Sequence, residues 1–328
     1  LKSTFRKEKT MPSDDREFVE SLLSGRFCHD SEFDEAGNVT DLDLRFFPSR
    51  EDFERVCRLT HLKSLLLQSD EFTDVHLAKL PPTLVDLSLS SANFTSAGFK
   101  ELERLTQLVQ FAAFLVHPSL RTCSWEFLLR LKSLKEFSIG KGLLSNPFYE
   151  QLGQLRWLHE LSVGDQTEMP TAPFETLDCE HQLHQLAFYR CSGLKGVSLE
   201  GLQRAQRVET IIFTSSDVKC AQLETLPLSL RALSISEDTD FDPENLAKVV
   251  EKLPEIRSIA LYRTVTGDAE MSAICNALTL RRLDLRETKV TREGILRAVD
   301  KNPRLAVYAL GHNMPFHHPN WTQEMLED

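Results

Sequence analysis

Apolar residues recur twelve times along the chain in one spacing, apolar-x-x-apolar-x-apolar. The first positions are Val39, Leu62, Leu84, Leu108, Leu134, Leu158, Leu183, Val208, Leu230, Ile256, Leu280 and Leu305, at intervals of 22 to 26 residues. The second and third apolar positions, such as Leu65 with Leu67, Phe137 with Ile139 and Leu283 with Leu285, share one face of a strand because strand side chains alternate with period two. The residues between them face the other way. The copy at Leu108, with Phe111 and Ala113, is the weakest. A lone strand of this kind cannot bury its own apolar edge, so the copies must stack side by side.

The segment after each strand predicts a short helix or turn. Ser124 precedes WEFLLRL, Asn146-Pro147 precedes FYEQLGQL, Asp242-Pro243-Glu244 precedes NLAKVVEKL and Thr291 precedes REGILRAV. Such residues cap free helix amides, and proline suits the first helical position. Around Pro81-Pro82 and Leu226-Pro227-Leu228 the spacing predicts irregular or 3₁₀ turns instead. The polar position after the strand holds Asp70, Ala92, Cys191, Ser216, Thr264, Thr288 and Asn313.

Both ends need covers, because an open terminal coil exposes its core. Asp14–Ser24 reads as an amphipathic helix, with Asp14 and Glu17 as a capping box, Phe18, Val19, Leu22 and Leu23 as its apolar stripe and Gly25 as its stop. Phe33 to Leu44 then reads as a hairpin turning at Ala36-Gly37-Asn38. Residues 312–328, with Trp321 and Met325, are the expected C-terminal cover. This gives an N-terminal tail and cap over residues 1–37, a repeat domain over 38–311 and a C-terminal cap over 312–328.

The period and phase of these copies resemble the leucine-rich-repeat family over residues 38–311. The resemblance implies an α/β horseshoe solenoid of about twelve repeats, with parallel strands on the concave face and short helices or 3₁₀ turns on the convex face. EFTDVHL, NFTSAGF and KVTREGI look like the short-repeat bacterial and F-box-associated subclass, whose coils run strand, turn, Val-Thr-Asp-x-Gly, helix. The polar position departs from the family's usual Asn or Cys. A Thr or Ser hydroxyl can serve the turning backbone in the same way.

The formal charge of −11 and isoelectric point near 5.5 argue against non-specific nucleic-acid binding, which needs a basic face. Seven scattered cysteines, an odd number without paired flanking clusters, read as reduced, buried thiols of a cytoplasmic protein. No apolar run has membrane-spanning length, and LKSTFRKEKT carries no hydrophobic segment behind its basic residues. The chain opens on Leu1, and Met11 is an alternative start.

Candidate chemistry is sparse. Gly140-Lys141-Gly142 lacks the rest of a nucleotide fingerprint. Cys179, His181 and His184, with His159 one coil earlier and Cys191 one turn later, are metal-ligand types without ligand spacing. His159 and His184 hold equivalent positions and are expected about 5 Å apart. His312, His317 and His318 fall in the tail. No nucleophile elbow is present. The expectation is therefore no enzyme activity, no cofactor and no metal.

The inner strand face is where function is expected, over about 50 Å of stacked strands. Its outward row reads Asp41, Ser64, Asp86, Gln110, Glu136, Glu160, Gln185, Thr210, Ala232, Ser258, Arg282 and Val307. One residue earlier stand Arg231, Arg257 and Arg281. The face is thus predicted to be bipolar, acidic at Asp41, Asp43, Asp86, Glu136 and Glu160 and basic at Arg231, Arg257, Arg281, Arg282 and Arg286. A solvated surface with accidental alignment is the competing explanation. The row between the strand leucines is mostly small, from Ser88 and Ala112 through Ser138, Ser162 and Ala187 to Ala260 and Ala309. Phe114 and Tyr189 bracket Gly140 and Gly164, which predicts a depression floored by Ser138 and Ser162. With Glu136 and Glu160 as acceptors it suits a basic or amide side chain. Tyr262 completes the partner-binding candidates.

These features point to a non-catalytic protein–protein interaction scaffold for a protein or peptide partner. The alternative is the substrate-recognition subunit of a larger complex, such as a ubiquitin-ligase adaptor or bacterial effector. That class calls for an F-box-like helix set, of which only Asp14–Ser24 is visible. A GTPase-activating solenoid, similar to the Ran-activating protein, has longer repeats.

Overall fold

The computed structural model describes residues 14–90, 93–114, 124–140, 144, 146–237, 241, 243 and 245–309. Met11, Ala92, Cys123, Lys141, Gly142, Asp242, Glu244 and the expected C-terminal cover, including His312, Asn313, His317, His318, Trp321 and Met325, lie outside the described residues. Compactness divides the chain into two units, the first of residues up to 114 with 130–134, the second of residues 124–129 with 135–309.

The first unit begins with helix α1 (Asp14–Ser24), which buries Phe18, Val19 and Leu22. It ends in a Schellman turn. Phe27 N–H donates to Leu22 O and Arg26 N–H to Leu23 O, both at 3.0 Å. The left-handed residue of this turn is Arg26, at φ +62°, not the expected Gly25. A Cβ on Gly25 would come within 2.8 Å of the exposed Phe27 ring, which would have to shift to admit it. Strand β1 (Cys28–Phe33) pairs antiparallel with β2 (Val39–Leu44). Between them the Asp34 carboxylate accepts the Ala36 and Asn38 amides. The first strand thus ends at Phe33, where the alternation had predicted its start. CHDSE has no period-two pattern, and a register shift at His29 leaves both it and Asp30 exposed.

Strands β3 (Ser64–Leu67), β4 (Asp86–Ser90) and β5 (Gln110–Phe114) follow β2 in parallel. Leu42, Leu65, Leu87 and Phe111 stand in one register row and are buried. Helices α2 (Arg50–Val56), α3 (Asp74–Leu77) and α4 (Ser96–Lys100) return the chain. Pro81-Pro82 lies in a non-helical turn.

The second unit stacks eight parallel strands: β6 (Glu136–Ile139), β7 (Glu160–Gly164), β8 (Gln185–Tyr189), β9 (Thr210–Thr214), β10 (Ala232–Ser236), β11 (Ser258–Ala260), β12 (Arg282–Leu285) and β13 (Ala306–Ala309). Phe137, Leu161, Leu186, Ile211, Leu233, Ile259, Leu283 and Val307 form one continuous buried row. Each return segment covers that row from one side, through α5 (Asn146–Leu152), α6 (Cys220–Leu223), α7 (Leu246–Glu251), α8 (Asp268–Ile274), α9 (Arg292–Lys301) or turns.

Three local expectations need correction. WEFLLRL forms a 3₁₀ helix over Glu126–Arg130, with Trp125 outside it at φ +54°. The buried Trp125 ring packs edge-on against Phe137 and Phe148. Helix α5 starts at Asn146 itself. In the last repeat the frame is one residue off. Leu283 pairs with Val307 and Asp284 with Tyr308, so Val307 and Ala309 are core and Tyr308 takes the outward position. The sequence offers two apolar frames there, Leu305 with Tyr308 or Val307 with Ala309. The second keeps the Tyr308 hydroxyl out of the core.

The Thr-Asp-x-Gly pattern has a mechanical role between neighbouring return segments. In the first unit the Asp74 carboxylate accepts Thr95 N–H at 2.8 Å and Thr95 Oγ1–H at 2.5 Å. In the second, Asp268 does the same for Thr291, at 2.7 Å to each. Gly98 and Gly294 make room for these carboxylates, since a Cβ on either would lie 2.2 Å from an Asp oxygen.

Candidate functional site

The strand face opposite the core carries the candidate residues. In the first unit Asp41, Ser64 and Asp86 are in register, and Ser64 Oγ–H donates to Asp86 at 3.4 Å. Asp43 is held by Arg45 at 3.1 Å and lies 3.5 Å from His29. Strand β1 adds acids that the repeat pattern does not show, because Glu32 stands opposite Asp41 and Asp30 opposite Asp43. Phe114 ends β5 with 44 % of its surface exposed.

In the second unit the structure brings several predicted residues together. Glu136, Glu160 and Gln185 share one register row, and Ser138, Ser162 and Ala187 the next. Gln185 Nε2 donates to Glu160 at 3.0 Å, which orients that carboxylate along the row. Gly164 pairs with Tyr189, a residue that is 38 % exposed. Gly164 does not have a left-handed backbone, and a Cβ built on it would meet only ordinary neighbours, the nearest being Gly140 Cα at 3.5 Å. The fold itself does not require glycine there.

His159 and His184 stand with ring centroids 5.3 Å apart, as the ladder spacing predicts. Burial, then Lys135, holds His159 below the usual histidine range. His181 is a structural pin. Its Nδ1 accepts Leu183 N–H and its Nε2 faces Leu152 O, both at 3.1 Å, so Nε2 carries the proton. Burial lowers its pKa. Among the described residues no group of three or more His, Cys, Asp or Glu is placed to hold a metal.

The five arginines expected to form the basic end have separate fates. Arg231 pairs with Glu209 at 3.3 Å. Arg281 turns back, its Nη1 donating to Leu278 O at 2.7 Å. Arg286 is locked onto buried Asp284 through Nε and Nη2, at 2.9 and 2.6 Å, which raises its pKa. Arg257 is exposed at the strand entry. Arg282 points outward with its guanidinium 4.7 Å from the Tyr308 ring centre, and has no carboxylate partner among the described residues.

A rim beside this face escaped the sequence reading. Asp165, Arg190, Ser215, Glu237, Arg263 and Glu287 follow the strands in six successive repeats, and all adopt left-handed backbone at φ +49° to +57°. That conformation costs roughly 1–2 kcal/mol for residues with a Cβ. Here it turns the chain while keeping the amides of Asp165, Arg190, Ser215, Glu237 and Arg263 in the ladder, as in Asp165 N–H to Tyr189 O and Arg190 N–H to Thr214 O, both 2.8 Å. The side chains pair along the rim. Arg190 forks onto Asp165 at 2.7 and 2.8 Å, and Arg263 bridges Glu237 at 3.4 Å and Glu287 at 2.6 Å. Tyr262 donates to Glu287 at 2.7 Å, which raises its pKa. Alternating charge at a fixed repeat offset was the available signal.

Beyond the rim, buried and half-buried polar groups serve the turns. Thr288 donates to Leu285 O and Thr264 to Leu261 O. Cys191 N–H donates to Ser216 Oγ at 3.0 Å. Gln166, absent from the polar positions singled out in the sequence, bonds Leu144 N–H and Gly164 O. On the return side a hollow of about 460 Å³ is lined by Leu223, Leu226, Leu228, Val249 and Leu253.

No protein-family model matches the chain, and no curated protein does. Among solved structures it is similar to an internalin (inlF) from Listeria monocytogenes, at 15 % identity over 94 % of this chain and 100 % of that one, with a TM-score of 0.41. It is also similar to a chain of the Rad7 and Elc1 complex in yeast, at 16 % identity over 89 % of this chain and 75 % of that one, with a TM-score of 0.50. Likeness at such identity concerns the fold alone. With strands paired in sequence order and apolar residues in register rows within each unit, this chain has the leucine-rich-repeat fold.

Proposed function

We propose that this chain is a non-catalytic protein-interaction scaffold whose exposed strand face receives a protein or peptide segment. The observation that carries this reading is the low floor of Ser138, Ser162 and Gly164 beside exposed Tyr189. Gly164 keeps open a space that the backbone would let a methyl group fill. Glu136 and Glu160 border that floor and supply acceptors for a basic or amide side chain. A rigid aromatic beside a small-floored recess is the kind of anchor that dominates protein interfaces. Free thiols support a reducing, cytoplasmic setting; Cys28, Cys191, Cys220 and Cys275 are buried as expected, whereas Cys57 is half-buried and Cys179 is exposed.

The test is to capture a partner from the native source, purify it, and titrate it against the wild-type chain, Tyr189→Ala and the double variant Glu136→Ala, Glu160→Ala. Affinity should fall with each variant while the melting temperature holds. If both glutamates can be removed without weakening binding, the recess is strand curvature only. A second reading, a substrate-recognition subunit of a larger assembly, uses the same face. The similar yeast chain comes from a two-protein complex, and native-source gel filtration separates the readings by whether this chain elutes within an assembly.

A further inference from the structure

Arg282 and Glu160 occupy the same register row of the second unit. Pairing carries that row from Glu160 through Gln185, Thr210, Ala232 and Ser258 to Arg282, each residue directly beside the next. The row is acidic at one end, with Glu136 beside Glu160, and cationic at the other. Between them the side chains are neutral; Gln185 is drawn along the row to Glu160, and Thr210, Ala232 and Ser258 are short enough to leave the backbone of a crossing segment close to the sheet.

The cationic end is built as a recognition element. Arg282 lies over the Tyr308 ring, so its planar fork is held in position without being neutralised. Its same-strand neighbour Asp284 is occupied by Arg286 through three side-chain hydrogen bonds, so it is not available to quench Arg282. An exposed guanidinium pre-oriented on an aromatic face, on a chain of net charge −11, is a place where one anion is favoured over the surrounding surface. A carboxylate suits it better than a phosphate. Arg281 is turned back onto Leu278 O and Arg286 is held by Asp284. Arg282 thus offers a carboxylate one cation for its one charge, while the second charge of a phosphate meets only a chain of net charge −11.

We propose that the second unit reads the charge order of an extended protein segment lying across the strands, with a basic side chain on Glu136 and Glu160 and a carboxylate side chain on Arg282. Five strand intervals of about 4.8 Å separate Glu160 from Arg282, so the two charges of the segment stand about 24 Å, or about seven extended residues, apart. This rests on the scaffold reading above and adds the chemistry and spacing of the partner. It also fixes a single direction for the segment, since the row has opposite charges at its ends.

The test is selection of displayed random peptides about 12 residues long on the wild-type chain and on Arg282→Glu. Wild type should enrich peptides with a Lys or Arg and an Asp or Glu at that spacing, in one order only. Arg282→Glu should replace the acidic requirement by a basic one and leave the other end unchanged. Arg282→Gln, a neutral change at an exposed position, should weaken the selected peptides by roughly tenfold at unchanged melting temperature. Replacing the peptide's acidic residue by phosphoserine should weaken binding; tighter binding would overturn the carboxylate assignment. Peptides that depend on Tyr189 but are indifferent to Arg282 overturn this inference and leave the scaffold reading standing. A selection that enriches nothing on this face overturns both.

Discussion

The Asp268 carboxylate holds Thr291 of the next repeat by its backbone N–H and its hydroxyl, each at 2.7 Å, while Thr291 Oγ1 accepts the Gly294 amide at 3.1 Å. The residue that starts α8 therefore fixes the cap that starts α9. Asp268→Ala should destabilise the chain by about 1–2 kcal/mol, the range for loss of a helix cap. Chemical denaturation followed by circular dichroism measures it. The bonds to Thr291 hold the Asp268 pKa below its ordinary 3.8. The folded form thus binds a proton less readily than the unfolded one, and this stabilisation is complete above the ordinary carboxylate range. It is lost as pH falls through the lower folded value. The difference between wild type and Asp268→Ala should accordingly shrink under acid and stay constant from pH 6 to pH 8.

Gly294 tests the same contact from the other side. Replacing a helical glycine by alanine ordinarily stabilises by up to about 1 kcal/mol. At Gly294 the new Cβ would lie 2.2 Å from the Asp268 carboxylate, so Gly294→Ala should destabilise. In an Asp268→Ala background the obstruction is gone and the same substitution should become stabilising. A double-mutant cycle reads this sign change directly. The same sign in both backgrounds would separate the glycine from the aspartate.

Most of the architecture was legible because strand period and repeat period are both written in apolar residues. Val39 to Leu280 gave the correct frame for every strand from β2 to β12, including the weak copy at Phe111. The misreadings came where a second rule competed. Cys28–Glu32 forms an edge strand from polar residues, with β2 supplying its backbone partners, so no alternation marks it. Leu305 and Val307 offered two apolar frames, and burial of the Tyr308 hydroxyl was the hidden cost of the wrong one. The rows of Glu136, Ser138 and their neighbours were legible to the residue, whereas the fate of each arginine was not. Whether Arg231 meets Glu209 or Arg286 meets Asp284 depends on rotamers that repeat spacing does not set.

The corrected frame of the last repeat makes its own prediction. Val307 is fully buried opposite Leu283, and Tyr308 lies outward under Arg282. Val307→Asp should cost more than about 3 kcal/mol, because a carboxylate would be buried without a partner. Tyr308→Asp should cost less than that, because the position is half-exposed and the change removes a single cation–π contact. Urea unfolding of the two variants compares them. The reverse order would restore the frame in which Tyr308 is core and Val307 outward; Leu305 is buried in either.

Gly164 separates stability from binding more sharply than any charged residue here. It sits at the end of β7 beside Tyr189, without left-handed backbone, and the nearest atoms to an added Cβ are at 3.5, 3.6 and 3.7 Å. Those are ordinary contacts. Gly164→Ala should therefore leave the melting temperature unchanged or raise it, because alanine reduces the freedom of the unfolded chain. If the recess admits a partner's side chain, the added methyl group takes up part of that space, and affinity should fall by about one order of magnitude, as overpacking of a fitted contact does. Isothermal titration of the captured partner, run beside thermal melts of the same preparations, gives both quantities. A variant that melts as wild type and binds as wild type would place the partner elsewhere on the chain. A variant that melts as wild type and binds weakly would assign the open space at Gly164 to the partner, since the fold has no use for it.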